Sequence, residues 1–233
     1  MSGYNLSVVA RALAFVGLVT IGQAALMILG EIDLSLGVIG GLCGVAAGIL
    51  MVNYGINPWL AMPIALALGA FYGFLNGGLV SFLRLHSMVL TIGTAGIFGG
   101  INLVLTRGVA ITNIPRGIQY LGRGDLFGVP MPFVIMLLVL ALVSFVTVKT
   151  PFGRYMYAIG NDPPAARMLG VKVDRIRILV FVFVGAIFGA AIIGIHRAVR
   201  RVAYWQGMVS RVIVVLAISF DAISRRYLRA DTA

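Results

Sequence analysis

Long apolar runs separated by short polar gaps dominate this chain. At about twenty residues per bilayer crossing they predict spans near 9–29, 34–52, 58–83, 88–106, 130–148 and 178–196. A further run around 205–223 predicts a seventh; its uninterrupted apolar core, Val212 to Phe220, is short, and a crossing there requires Arg211 to snorkel or to pack inside the bundle. The N-terminal run leads into further spans rather than to a small-residue cleavage site, so it reads as a retained membrane segment. The expected fold is an all-α polytopic transmembrane helix bundle of about six to seven spans, forming a single domain over residues 1–233.

The polar gaps set the orientation. The widest, residues 149–177, carries Lys149, Arg154, Arg167, Lys172, Arg175 and Arg177 against Asp162 and Asp174, and the positive-inside rule assigns it to the cytoplasm. The 53–57 turn and the 107–129 segment then lie outside, and the Arg84–Ser87 turn and Arg225, Arg226 and Arg229 inside. Arg197, Arg200, Arg201 and Arg211 would face outward against the rule, which marks residues 197–211 as unusual. Within the basic loop, Asp162 precedes Pro163 and Pro164, then AARML, then Gly170. An N-cap acid, first-turn prolines and a terminating glycine predict one short helix. So short a helix does not persist alone in water and is expected to dock. Ala165, Met168 and Leu169 fall at i, i+3, i+4 and form a small apolar face with Arg167 beside it, a shape suited to the groove of a cytoplasmic partner.

Composition agrees with the pattern: 61% of residues are hydrophobic and 11% charged, against roughly 25% charged in soluble domains, and mean hydropathy is +1.05. The net charge of +11 sits in the gaps as a topology signal, which argues against nucleic-acid binding. The one cysteine, Cys43, lies inside an apolar run and offers neither a disulfide nor a metal site. Glycines recur four apart, at Gly40, Gly44 and Gly48, at Gly69, Gly73 and Gly77, at Gly96 and Gly100, and at Gly185 and Gly189. That spacing predicts closely packed membrane helices.

Polar residues at membrane depth are the next candidates, being expensive there. Glu31 and Asp33 stand in GEIDLSLG between two apolar runs, where Asp33 is placed to cap a helix beginning at Leu34 and Ser35 to satisfy nearby backbone. A plain interfacial cap and a broken helix facing a translocation path both fit. Asn76, Thr91, Thr94 and Asn102 add polarity to later spans, explained equally by interhelical hydrogen bonds or by solute contact; His86 and His196 read as boundary residues. No phosphate-loop, H-E-x-x-H or G-x-S-x-G pattern is present, so no catalytic, metal or cofactor site is expected and the chain reads as a non-enzyme.

GEIDLSLGVIGGLCGVAAG (30–48), NGGLVSFLRLHSMVLTIGTAGIFGGI (76–101), LTRG (105–108) and TPFGRYMYAIGNDPPAARMLGVKVDRIR (150–177) resemble the membrane-spanning permease subunits of bacterial ABC importers for ribose, xylose, arabinose, autoinducer-2 and related sugars. The resemblance implies that the loop bearing Ala165, Ala166, Arg167 and Gly170 docks on an ATP-binding subunit. It implies a second permease chain, identical or paralogous, a periplasmic solute-binding protein, and a place in the bacterial inner membrane. Asp33 would then lie at a helix start near the pathway, with Ser35, Asn76, Thr91 and Thr94 as further pathway candidates, and Asp162, Met168 and Leu169 completing the docking segment. Family members normally begin with a further span and continue past the position of Arg197 through another membrane passage before a YWQ-like segment; here Ala203 to Gln206 follows almost at once, so the expectation is a shortened permease. A secondary transporter and a non-transporting permease remnant are the alternative readings.

Overall fold

The computed structural model describes residues 3–195, apart from 110, 112, 114, 116–119, 123 and 127. The expected 205–223 span, His196, the arginines from Arg197 onward and the 197–203 junction lie outside the described residues. The membrane helices are α1 (Gly3–Ile28), α2 (Leu36–Val52), α3 (Pro58–Leu83), α4 (Ser87–Thr106) and α5 (Met131–Lys149); then come α6 (Pro151–Asn161), α7 (Pro163–Met168) and α8 (Val173–Ile195). α1, α3, α4 and α5 are each long and apolar enough to cross a membrane. The 17 residues of α2 extend about 26 Å at 1.5 Å per residue, close to the hydrocarbon thickness. The chain is thus a polytopic helix bundle.

Local chemistry explains the boundaries. α1 ends in a Schellman motif: Gly30 sits at φ +82°, its N–H donates to Met27 O, and the Glu31 N–H reaches back to Leu26 O. α3 starts where the Asn57 side chain accepts from the Trp59 N–H with Pro58 in the first turn. Three differences from the sequence reading have physical causes. α2 begins at Leu36, not Leu34, because Asp33 Oδ1 accepts from the Ser35 N–H at 2.7 Å, an Asx turn that holds Leu34 and Ser35 out of the helix. α8 begins at Val173 rather than near 178, carrying Asp174, Arg175 and Arg177 on its first turns. The basic loop also contains the unforeseen α6, whose Gly153, Met156 and Ile159 are buried at three-residue intervals while Tyr155 and Tyr157 are exposed. A two-residue hairpin, β1 (Asp125–Leu126) with β2 (Val129–Pro130), is a small addition to the all-helical expectation.

The tightest seam joins α3 to α8. A Cβ on Gly69 would strike the Gly185 carbonyl, one on Gly73 the Phe181 carbonyl, and one on Gly189 the Ala65 carbonyl, so the two backbones interdigitate as the four-residue glycine spacing predicts. Gly40, Gly44 and Gly48 are buried in α2. Gly96 and Gly100 correct the expectation, since a Cβ at either meets nothing within 4 Å among the described residues. Beside the seam, Ile39, Leu42, Cys43, Ala47 and Met51 of α2 pack with Ala61 and Ala65 of α3 and Phe98 of α4, and the Tyr72 and Phe98 rings meet tilted at 53° with centroids 4.8 Å apart. Cys43 is a packing residue in this cluster.

Candidate functional site

The break between α1 and α2 brings together most of the polar residues singled out in the sequence. Asp33 accepts from the Ser35 hydroxyl at 2.6 Å through Oδ1 and from Asn76 Nδ2 at 3.3 Å through Oδ2, while the same Nδ2 donates to Ser35 Oγ at 2.7 Å. Two turns of α4 complete the arrangement: Ser87 Oγ accepts the Ile32 N–H at 3.0 Å and Thr91 Oγ1 the Leu34 N–H at 3.1 Å. Asp33, Ser35, Asn76, Ser87 and Thr91 are all buried. These bonds satisfy backbone groups that the interrupted helix leaves orphaned, and they tie the break to α3 and α4 at once. Burial raises the Asp33 carboxyl above its ordinary value, opposed by the donors from Ser35 and Asn76. Asn76 Oδ1 finds no donor among the described residues.

Asp33 is therefore not a helix cap exposed at an interface but the acceptor centre of a sealed network, and Asn76 reaches it from α3. Thr94 stands apart: it is buried one turn further along α4 and donates to Thr91 O at 3.3 Å. Ser87, which the sequence reading had placed only in a turn, is part of the network. Its position four residues before Thr91 was the available signal, since i and i+4 share a helix face.

The second group lies on α7 and its flanks. Asp162 Oδ1 accepts the Ala165 N–H at 3.0 Å, and Gly170, at φ +82°, closes the helix with its own N–H on Arg167 O and the Val171 N–H on Ala166 O. Ala166 turns inward at 2% exposure, whereas Met168 and Leu169 are 89% and 82% exposed. Ala165 and Arg167 are exposed as well. A groove of about 470 Å³ runs beside them, with Arg167, Lys172, Asp174 and Arg175 on its walls.

Between the two groups lies a charge contact that the sequence did not single out. Arg177 Nε stands 2.6 Å from Glu31 Oε1, a close ion pair without an aligned hydrogen bond, and both side chains are mostly shielded. Asp174 Oδ1 takes both Arg177 Nη1 at 3.4 Å and Arg167 Nη2 at 3.3 Å. In the N-terminal half of α1, Arg11 pairs with Asp125 of the hairpin at 2.9 Å. No cluster of potential metal ligands occurs among the described residues.

Comparison with known proteins gives one consistent set of relatives. The profile of the family described as branched-chain amino acid transport system / permease component matches residues 5–223. The autoinducer 2 import system permease protein LsrC of Yersinia enterocolitica is 40% identical over 179 residues, 76% of this chain and 49% of the relative. Its counterpart in Photorhabdus laumondii is 37% identical over 179 residues, 76% of this chain and 53% of the relative. The chain spans about half the length of the curated relatives it matches. No solved structure matches.

Proposed function

Because the chain belongs to the branched-chain amino acid transport system / permease component family, we propose that it is the membrane-spanning permease subunit of an ATP-driven importer in the bacterial inner membrane, with hydrolysis performed by a separate ATP-binding subunit. The observation that carries this reading is α7: a capped six-residue helix that presents Met168 and Leu169 to its surroundings with Arg167 beside them. Large apolar side chains held out on so short a helix are costly in water, and a partner's groove removes that cost. The solute is small and sugar-like, of the autoinducer 2 type, a reading supported by the names of the relatives. A periplasmic binding protein delivers it and a second permease chain completes the pathway. The chain itself performs no chemistry. Its part is to form the path and to receive the stroke of the ATPase at Asp162–Gly170, while Asp33, Ser35, Asn76, Thr91 and Thr94 stand at the bundle end nearest that stroke.

Co-purification tests the docking assignment. The tagged chain, solubilised in detergent, retains its ATP-binding subunit; Arg167→Glu, or Met168→Asp with Leu169→Asp, inserts normally and loses it. Undiminished retention by both variants sinks the assignment.

A further inference from the structure

Arg167 and Arg177 share a single acceptor oxygen, and the chain of charges they form runs from the docking face to the break between α1 and α2. Arg167 Nη2 lies 3.3 Å and Arg177 Nη1 3.4 Å from Asp174 Oδ1, and Arg177 Nε lies 2.6 Å from Glu31 Oε1. The two ends differ in character. Arg167 and Asp174 are 54% and 56% exposed, so that link is weak and open to competition. Arg177 and Glu31 are 16% and 11% exposed, so neither can lose its partner without leaving a shielded charge uncompensated. We propose that Asp174 is the switch point of a coupling element in which engagement of Arg167 by an acidic group on the ATP-binding subunit is transmitted through Arg177 to Glu31 and the break.

The step follows from the sharing. A partner carboxylate that takes Arg167 frees Asp174 Oδ1 for Arg177 alone. Arg177, drawn toward Asp174 at i−3 on its own helix, loosens its hold on Glu31. Glu31, its counter-ion drawn away in part, shifts toward water and carries with it Ile32 and Leu34, whose N–H groups hang on Ser87 Oγ and Thr91 Oγ1 of α4. Asp33 and Ser35, bound to Asn76 of α3, follow. The same residues that seal this end of the bundle are therefore the ones released when the docking face is occupied. Asp174, Arg177 and Glu31 act as positioning residues, and the proposal rests on α7 being the docking helix.

Amide hydrogen exchange of the detergent-solubilised chain, with and without its ATP-binding subunit, separates the two readings. In the native chain, added subunit protects the 165–169 amides and speeds exchange severalfold at Glu31, Ile32, Leu34 and Ser35, all of which are hydrogen-bonded here. Asp174→Asn, an exposed change that leaves the core untouched, keeps the first response and loses the second, and Asp174→Glu restores it. Arg177→Gln exchanges fast at the break with or without the subunit. Protection at 165–169 with no change at the break, or an unchanged break response in Asp174→Asn, overturns the coupling proposal alone. Absence of protection at 165–169 in the native chain overturns the docking reading and the coupling with it.

Discussion

Asn76 carries more of this architecture than its position in an apolar helix suggests. One amide nitrogen binds both Asp33 Oδ2 and Ser35 Oγ, so replacing it by Leu leaves a shielded carboxylate oxygen short of a donor. Removing one partner from a buried polar set costs about 1–3 kcal/mol, and Asn76→Leu is expected to lower the melting midpoint of the detergent-solubilised chain accordingly. Thr94→Val is the control, because among the described residues the Thr94 hydroxyl donates only to Thr91 O within its own helix; it should cost well under about 1 kcal/mol. Equal midpoints for the two variants would show that Asn76 does not hold the break. The sequence made Asp33, Ser35, Asn76 and Thr91 visible one by one, through polarity in apolar surroundings. It did not disclose that they meet, because spacing along one helix carries no information about which face of another it will touch.

At the scale of elements, glycine spacing was legible only in part. The repeats at Gly69, Gly73 and Gly77 and at Gly185 and Gly189 do form a seam, and the two helices meet with carbonyl oxygens where side chains would otherwise stand. Gly96 and Gly100 have the same spacing and no seam among the described residues, so the repeat permits close approach without dictating it. Gly73→Val should separate α3 from α8, costing on the order of 3 kcal/mol or more because backbone, unlike a side-chain tip, cannot swing aside. Gly96→Ala should be neutral or stabilising by up to about 1 kcal/mol, since it trades helix-breaking freedom for a methyl in open space. Melting curves of the two variants in detergent decide this, and a severe loss in Gly96→Ala would place that face against an unseen neighbour. The start of α8 was misjudged for a related reason. Asp174, Arg175 and Arg177 look like loop in a hydropathy profile, yet Asp174 suits a helix N-terminus and Arg177 is matched by Glu31. α6 escaped notice because eleven amphipathic residues are too few to register beside membrane spans, although Thr150 before Pro151 is a helix start signal.

For the molecule as a whole, the long apolar helices up to residue 195 and the family resemblance were legible from the apolar runs and from stretches such as GEIDLSLG, and the family match over residues 5–223 bears the resemblance out. Sidedness is the global property on which the transport reading depends. The contacts place the α1–α2 break, the start of α4 and the first turns of α8 at one end of the bundle, where Ser87 meets Ile32 and Arg177 meets Glu31. The 53–57 turn, one helix away at the far end of α2, belongs to the other. If the basic segment 149–177 is cytoplasmic, as its charge predicts, Tyr54 at 74% exposure and Leu169 at 82% must be reached from opposite sides of the membrane. In a Cys43→Ala background, which removes the one native thiol, a membrane-impermeant maleimide applied to intact spheroplasts should label Tyr54→Cys and spare Leu169→Cys, and inverted vesicles should reverse the pattern. Labelling of Leu169→Cys from outside would set the docking helix, and the charged contacts running from it to Glu31, on the side of the membrane where no ATPase can reach them, and the importer reading would fall with it.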